Sequence, residues 1–484
     1  MSEALTGAAR AHPGVDIVGS TQEPPAVTTP RYQELLGWLG RGGAVACPCG
    51  LTHHIAVREV ILGERALEAS RELLLRLHGP RPSLWVLSDE RTEAAAGARW
   101  KSLASGGRVA STVLPADPRP VPTMELVVEL GSTVRELAPE LLVGVGSGVV
   151  SDLVKRVSLD TGVPNWCVAT APSVDAYSSA TSAIRVGGHH LAVPSRPSDV
   201  IVCDLDVMRE APPQMFLAGL GDLLGKFLAY LDWNLSRMIT REHLCEPLAS
   251  LALGSARLAL AAARERARDP RAAVRSLTDA ILVSGFAMQA LGSSRPAASA
   301  EHTVAHFWET AGAVGNATLD LHGILVGAAS NLVLRSYSAF YGKLDRSGPD
   351  AARRLEAYRR ERPWREALPA EMRPFEDKIA SEQRGRAFDG AELARRLEAF
   401  AARRGGISEL AGAMLAELSG AVDLLAGLGF PFSLDVLGIA DGKRYLPLRQ
   451  VRLLRNRYTT FDLAYELGRE DDLLEPFAAP AGRR

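Results

Sequence analysis

Lysine is scarce in this chain: only Lys101, Lys155, Lys226, Lys343, Lys378 and Lys443 stand among 55 basic residues, the rest being arginine. A compact cation whose pKa moves readily with its surroundings is therefore confined to a few positions. Cysteine is scarcer still, with five in 484 residues, which excludes a disulfide framework. Net charge is almost absent, at −1 from 55 basic and 56 acidic residues, and the two signs are interspersed. That excludes the electrostatic footprint of a nucleic-acid binder and points to small-molecule partners. The first twenty residues, MSEALTGAARAHPGVDIVGS, lack an apolar signal core, so a reducing cytoplasm is the expected compartment. The most apolar stretches, around 248–263 and 411–432, are too short or are interrupted by Glu417 and Asp423, so no membrane span is expected. What the chain does have is 47% hydrophobic residues and 44 glycines, enough for a soluble protein of two or more domains.

Residues 1–30 are rich in Pro, Thr, Gly and Ala without hydrophobic periodicity and are expected to form a disordered tail. From residue 57, short β-like runs alternate with helical patterns: VREVILG, ALEASRELLLRLHG, SLWVLSD, a helix ending near Gly106, and VASTVLP. The rhythm continues through a helix at 123–138, LLVGVGSG, a helix at 149–161, NWCVATAPS and DVIVCDL. Such Val-, Ile- and Leu-rich runs fit a parallel sheet covered on both faces. After about 210 the segments become long and helical. The expected architecture is α/β: a Rossmann-like dinucleotide-binding domain over 31–208, then an all-helical metal- and substrate-binding domain over 209–484.

In LLVGVGSGVVSDLVK, Gly144, Gly146 and Gly148 stand where an apolar strand passes into a helix. Glycines there permit a tight turn and close approach of helix-start amides to a pyrophosphate, although GxGxG departs from the usual dinucleotide fingerprint and also serves plain connections. Asp89, ending the run SLWVLSD, is placed to receive ribose hydroxyls, or else to cap a helix. A second cluster spans GLGDLLGK, SAEHTVAH and LHG, with Asp222, His302, His306 and His322. His302 and His306 are i and i+4 and share a helix face. One carboxylate and two imidazoles from three segments make a three-ligand set with open positions, the composition of a catalytic divalent site.

The stretch ACPCGLTHH, with Cys47, Cys49, His53 and His54, has suitable residue types for a soft cation. Its spacing is less suited, since zinc modules leave two to four residues between paired cysteines and here one separates them. The competing reading is a cysteine-bearing turn leading into the first strand.

The segments VGVGSGVVSDLVK, TAPSVDAYSSA, AGLGDLLGKFLAYLDWNLS, SSRPAASAEHTVAHFWE, LHGILVG and RNRYTTFDLAYELG, spread over about 47–470, together resemble glycerol-1-phosphate dehydrogenases of the bacterial AraM type. These belong to the superfamily of iron-containing alcohol dehydrogenases, glycerol dehydrogenases and dehydroquinate synthases. The resemblance implies that Gly148, Val149, Val150, Ser151, Asp152, Thr170, Ala171, Pro172, Ser173 and Ser179 contact NAD or NADP, to which the reading of the glycine turn and of the strand end adds Gly146 and Asp89. It implies one divalent ion, zinc, nickel or iron, on Asp222, His302 and His322, in a cleft between domains, and leaves the Cys47 cluster in the N-terminal lead-in. Asp175, Asp222 and His306 would be catalytic and contact substrate, and a homodimer is expected. Departures occur at Ala176, Ala298 and Ser299, and at Pro194, near which a lysine is usual. Lys226, four residues after Asp222 and on the same helical face, is then the expected contact for a substrate phosphate, with Arg196 second and an ion pair as the alternative role for Lys226.

The implied reaction is hydride exchange between a nicotinamide and C2 of a three-carbon phosphate, interconverting dihydroxyacetone phosphate and sn-glycerol 1-phosphate. The alternatives are a related metal-dependent polyol or alcohol dehydrogenase, and a degenerate member that only binds nucleotide.

Overall fold

The computed structural model describes residues 17–18, 43–344, 351–360, 363–386 and 388–478. Apart from Ile17–Val18, the expected tail over 1–30 lies outside the described residues. A small sheet joins β1 (Ile17–Val18), β2 (Ala44–Ala46) and β3 (Thr52–His54), the last two an antiparallel hairpin. The principal sheet is six-stranded and wholly parallel. It contains β4 (Glu59–Gly63), β5 (Ser83–Asp89), β6 (Arg108–Leu114), β7 (Leu141–Gly146), β8 (Asn165–Ala169) and β11 (Val200–Asp204), in the order β4-β11-β8-β7-β5-β6.

The central strands are mostly apolar and buried along their middles because both faces are covered, with polar residues confined to their ends. On β5, Leu84 and Val86 pack with helix α1 (Ala66–His78), while Trp85 and Leu87 face helices α2 (Met124–Leu137) and α3 (Gly148–Thr161). The chain runs outward from β5 to β6 and returns to β7 on the other side of β5, so the winding direction reverses between β5 and β7. Ligands of open α/β sheets bind at the carboxyl ends of strands flanking such a switch. Those ends are Asp89 and Gly146, the positions singled out in the sequence.

An antiparallel hairpin, β9 (Thr181–Val186) with β10 (His189–Pro194), was not expected from the strand pattern. It lies outside the main sheet and turns at Gly187 and Gly188, both with positive φ. From Pro213 onward every regular element among the described residues is helical: α4 (Pro213–Thr240), α5 (Glu246–Glu265), α6 (Pro270–Leu291), α7 (Ala300–Thr310), α8 (His322–Leu344), α9 (Gly390–Gly427) and shorter pieces. Their apolar faces form one large core that also covers a face of the sheet through Cys167, Ala169, Ile201 and Cys203.

Helix α9 corrects one expectation. It is 38 residues long and apolar over much of its length, so length and composition alone do not exclude a span there. Its Leu393, Leu397, Ile407, Met414, Leu418 and Leu425 are buried in the protein core.

Candidate active site

Helix α4 carries Asp222 and Lys226 one turn apart, helix α7 carries His302 and His306, and His322 opens α8. Gly225 lets α7 approach: a Cβ at this position would sit 2.8 Å from Glu301 Oε1 and 3.1 Å from His302 Cε1. The donor atoms of Asp222, His302 and His322 come within 4.8 Å of one another, with His302 Nε2 3.4 Å from Asp222 Oδ1.

Carboxylates behind the ring set orient the imidazoles. His302 Nδ1 donates to Glu301 Oε1 at 2.7 Å; His322 Nδ1 donates to Glu309 Oε1 and His306 Nδ1 to Glu309 Oε2, both at 2.9 Å. These bonds hold a proton on each Nδ1, so Nε2 is the atom each ring offers to a cation. The set fits a divalent cation by its chemistry: one anionic oxygen and two imidazole nitrogens with carboxylate support, open to a cavity on one side.

The electrostatics follow from burial and pairing. Burial alone would raise the Asp222 carboxyl, but the charge of Lys226 and the contacts of His302 and His322 hold it well below the carboxylate range. Burial pushes His306 down to about 3, overriding Glu309, so this ring is neutral. Burial also acts to lower His322, yet the charge and hydrogen bond of Glu309 outweigh it and lift the ring to about 9.

One cavity is lined by Ser147, Gly148, Val149, Asp152, Ser173, Asp175, Ser179, Asp222, His302, His306 and His322, so the loop and the histidine cluster meet in a single cleft. The Asp175 amide donates to Asp222 Oδ2 at 3.0 Å, and Asp175 Oδ2 accepts from Ser284 Oγ at 2.7 Å. Thr170, Ala171 and Pro172 are buried beneath the loop, Val150 packs in the core between α3 and the sheet, and Ser151 is buried beside Cys167. Gly146 does not line the cavity; a Cβ there would meet Val150 Cβ at 2.7 Å, so its smallness lets helix α3 pack on β7. Asp89 caps the short helix Glu90–Thr92, its Oδ1 accepting from the Arg91 and Thr92 amides.

The two cations expected to hold a phosphate are placed otherwise. Lys226 is fully buried, with Nζ 2.8 Å from Asp175 Oδ2, 2.9 Å from the Asp222 carbonyl and 3.4 Å from Asp222 Oδ1. Three donors meet three acceptors, which is the ion-pair role; the surrounding carboxylates raise the ammonium's pKa against burial, which acts to lower it. Arg196 donates to the Gly162 carbonyl and lies 3.7 Å from Asp199, away from the cavity. Lys155 is also buried, tying α3 to the loop through the Ala176 and Thr181 carbonyls and Ser179 Oγ.

Several cavity residues were not singled out as site residues: His190, Arg119 and Arg185, and also Glu309 and Arg455, which end and begin two of the quoted segments. Arg185 Nη2 is 3.2 Å from His190 Nε2 and also reaches the Glu309 carbonyl. Arg119 contacts the Asp320 carbonyl and carboxylate. Arg455 donates to Ser294 Oγ at 3.0 Å and forms no ion pair among the described residues.

A parallel sheet with a glycine turn at its switch point, joined to a helical part bearing one carboxylate and two histidines, defines the class of metal-dependent dehydrogenases with a dinucleotide site. Comparison with known proteins agrees: the profile of the iron-containing alcohol dehydrogenases matches residues 61–212. A glycerol-1-phosphate dehydrogenase [NAD(P)+] from Halalkalibacterium halodurans is 31% identical over 301 residues, covering 61% of this chain and 74% of that protein. One from Bacillus subtilis is 29% identical over 291 residues, covering 58% and 72%. The chain belongs to the iron-containing alcohol dehydrogenase family, on its glycerol-1-phosphate dehydrogenase branch. The fold is shared with a probable glycerol dehydrogenase from Sinorhizobium meliloti (TM-score 0.55, 16% identity, 87% and 96% of the two chains). It is shared as well with a sulfoacetaldehyde reductase from Bifidobacterium kashiwanohense in complex with NAD+ (TM-score 0.51, 16% identity, 87% and 98%).

Proposed function

We propose that this protein is an NAD(P)-dependent, metal-dependent dehydrogenase that interconverts dihydroxyacetone phosphate and sn-glycerol 1-phosphate. The observation that carries the reading is the single cleft in which the start of α3 faces Asp222, His302 and His322. Amides of Gly148 and Val149, at the first turn of α3, receive the pyrophosphate, and Asp152, Ser173 and Ser179 complete that side. Asp222, His302 and His322 would hold a divalent ion, which would supply positive charge beside the reacting oxygen. Hydride transfer belongs to the nicotinamide, and the protein's part is orientation.

His306, with Nδ1 fixed on Glu309, presents Nε2 to the substrate hydroxyl proton in the oxidation direction, and the Glu309 carboxylate would stabilise the imidazolium formed there. Asp175, held by Lys226 and Ser284, positions the substrate. The substrate phosphate falls to Arg455, which lines the cleft with His306 and has no carboxylate partner among the described residues, and Arg185 lines the same cleft. We place the dinucleotide domain before about residue 209 and the metal- and substrate-binding domain after it, and read the protein as a cytoplasmic homodimer without nucleic-acid or membrane partners. The test is metal analysis of purified protein together with NADH and NADPH oxidation by dihydroxyacetone phosphate and by unphosphorylated dihydroxyacetone. Strong preference for the phosphorylated ketone, lost through KM in Arg455→Met, supports the reading. Equal efficiency on both ketones removes the phosphate pocket and leaves a polyol dehydrogenase; metal-free protein inert to every ketone leaves a nucleotide-binding member.

A further inference from the structure

The Cys47 stretch gains a partner in the folded protein that its spacing cannot reveal. The turn between β2 and β3 closes through Cys47 N–H to the Leu51 carbonyl and Gly50 N–H to the Cys47 carbonyl, with Gly50 at φ +87°. It presents Cys47, Cys49 and His53 to Cys245, 192 residues beyond His53 and placed at the N-terminus of α5. His54 alternates to the exposed face of the strand and takes no part. Cys47 Sγ lies 3.7 Å from Cys245 Sγ; His53 Nε2 lies 3.2 Å from Cys245 Sγ and 3.4 Å from Cys49 Sγ. All four donor atoms are within 4.8 Å of one another.

A tetrahedral zinc ion with Zn–S of about 2.3 Å and Zn–N of about 2.0–2.1 Å requires S···S of about 3.8 Å and S···N of about 3.5 Å. The three short separations, 3.7, 3.2 and 3.4 Å, lie within about 0.3 Å of those spacings. His53 Nδ1 donates to the Ala290 carbonyl at 3.0 Å, which fixes the tautomer and leaves Nε2 as the ligating atom. Burial raises the Cys47 and Cys245 thiols above the free cysteine value, while the backbone amides of Cys49 and Leu248 act in the opposite direction; a bound cation would itself supply the charge that deprotonates them. His53 and Cys245 are buried, and none of the four residues borders the active-site cavity.

We propose that Cys47, Cys49, His53 and Cys245 form a closed, four-ligand structural zinc site, separate from the catalytic metal and independent of the substrate reading above. Four protein donors leave no open coordination position, the mark of a structural rather than a catalytic site. The ion fastens a hairpin of two three-residue strands, too small to be stable alone, to the start of α5 and the end of α6. From that hairpin Ala56 N–H donates to Gln289 Oε1, and Gln289 Nε2 donates to the Ser178 carbonyl, so the anchor continues to the turn that carries Asp175.

Full-length protein purified from zinc-supplemented medium, carrying His302→Ala and His322→Ala to remove catalytic ligands, should retain about one zinc per chain by elemental analysis. Adding Cys47→Ser and Cys49→Ser should release it. Wild-type protein loaded with cobalt(II) should show thiolate-to-metal charge transfer in the near ultraviolet, which the sulfur-free catalytic set cannot produce; this arm does not depend on folding of any variant. The proposal is overturned by zinc-free His302→Ala/His322→Ala protein, by zinc that persists after the cysteine changes, by cobalt protein without the charge-transfer bands, or by a Cys47–Cys245 disulfide in unreduced protein.

Discussion

Glu309 is the most informative residue to perturb, because one buried carboxylate serves two imidazoles. Its Oε1 accepts from His322 and its Oε2 from His306, each at 2.9 Å, and the side chain is 10% exposed. A carboxylate is an acceptor at both oxygens, so both rings keep a proton on Nδ1, leaving Nε2 free on His306 and available on His322 once a bound cation displaces its second proton. Glutamine preserves the shape but offers one acceptor and one donor. One histidine must then turn, or move its proton to Nε2, where it can neither ligate a cation nor accept a proton. Losing a hydrogen bond to a charged partner costs about 1.5–3 kcal/mol, equivalent to roughly 10–100-fold, and loss of carboxylates behind metal-binding histidines falls in the same range. Glu309→Gln should therefore weaken metal binding, or lower kcat/KM at saturating metal, by about 10–100-fold. Glu301 provides the internal control. Its Oε1 alone accepts from both His302 Nδ1 and the Ser299 amide, an arrangement a glutamine carbonyl can reproduce, so Glu301→Gln should be much milder. Competition of the apoproteins with a chromophoric chelator for zinc, with steady-state rates alongside, measures both variants. The reasoning fails if Glu309→Gln holds zinc within about twofold of wild type and keeps its kcat/KM. It fails equally if the two variants lose the same amount.

Gly146→Val should lower thermal stability as well as NADH affinity, because the new side chain presses on Val150 and overpacking costs about 1–3 kcal/mol; a variant with unchanged melting temperature that no longer binds NADH by fluorescence titration would return Gly146 to direct cofactor contact. Lys226→Met leaves the buried Asp175 and Asp222 uncompensated, for which about 3–5 kcal/mol is expected. Denaturant unfolding should show that loss; a selective rise in KM for dihydroxyacetone phosphate at unchanged stability would make Lys226 a phosphate ligand after all. Asp232, which accepts from Ser299, Tyr337 and Thr460, is raised by burial from 3.8 to about 6. Its folded pKa lies above the unfolded value, so its contribution is fully present below about 3.8 and lost as pH rises through about 6. Wild type should gain stability relative to Asp232→Asn by up to about 3 kcal/mol on going from pH 7 to pH 4, and a flat difference across that interval would refute the assignment.

The parallel sheet was legible because burial on both faces makes its strands continuous Val, Ile and Leu runs, and the helices between them keep a 3.6-residue period. The β9–β10 hairpin was harder to see: Gly187-Gly188 between alternating residues is a hairpin signal, but the flanking SAIRV and HHLAV lack the strongly apolar character of the sheet strands. In the cleft, Asp222, His302 and His322 could be picked out because histidine is scarce, ten in the chain, and His302, His306 and His322 fall in short motifs beside the Asp222 segment. Arg185, His190 and Arg455 could not, since they reach the cavity from a peripheral hairpin and from the C-terminal region, and an arginine in an arginine-rich chain carries no flag.

Spacing on a helix states which face a side chain shares, not what that face meets. Lys226 does share a face with Asp222, yet two buried carboxylates within 3.4 Å take its ammonium before any substrate can. Gly146 does stand at the glycine turn, yet the nearest neighbour to its missing Cβ is Val150, inside the protein. Asp89 ends its strand as expected, and two helix-start amides occupy one of its oxygens. In each case the nearest polar or apolar neighbour is contributed by the fold and decides the role. The same holds for Cys47 and Cys49, whose separation by one residue fits no local zinc module. Their fourth-ligand partner, Cys245, comes from a helix start nearly two hundred residues away, and only packing of the helical region against the hairpin brings the three sulfurs and His53 to tetrahedral spacing.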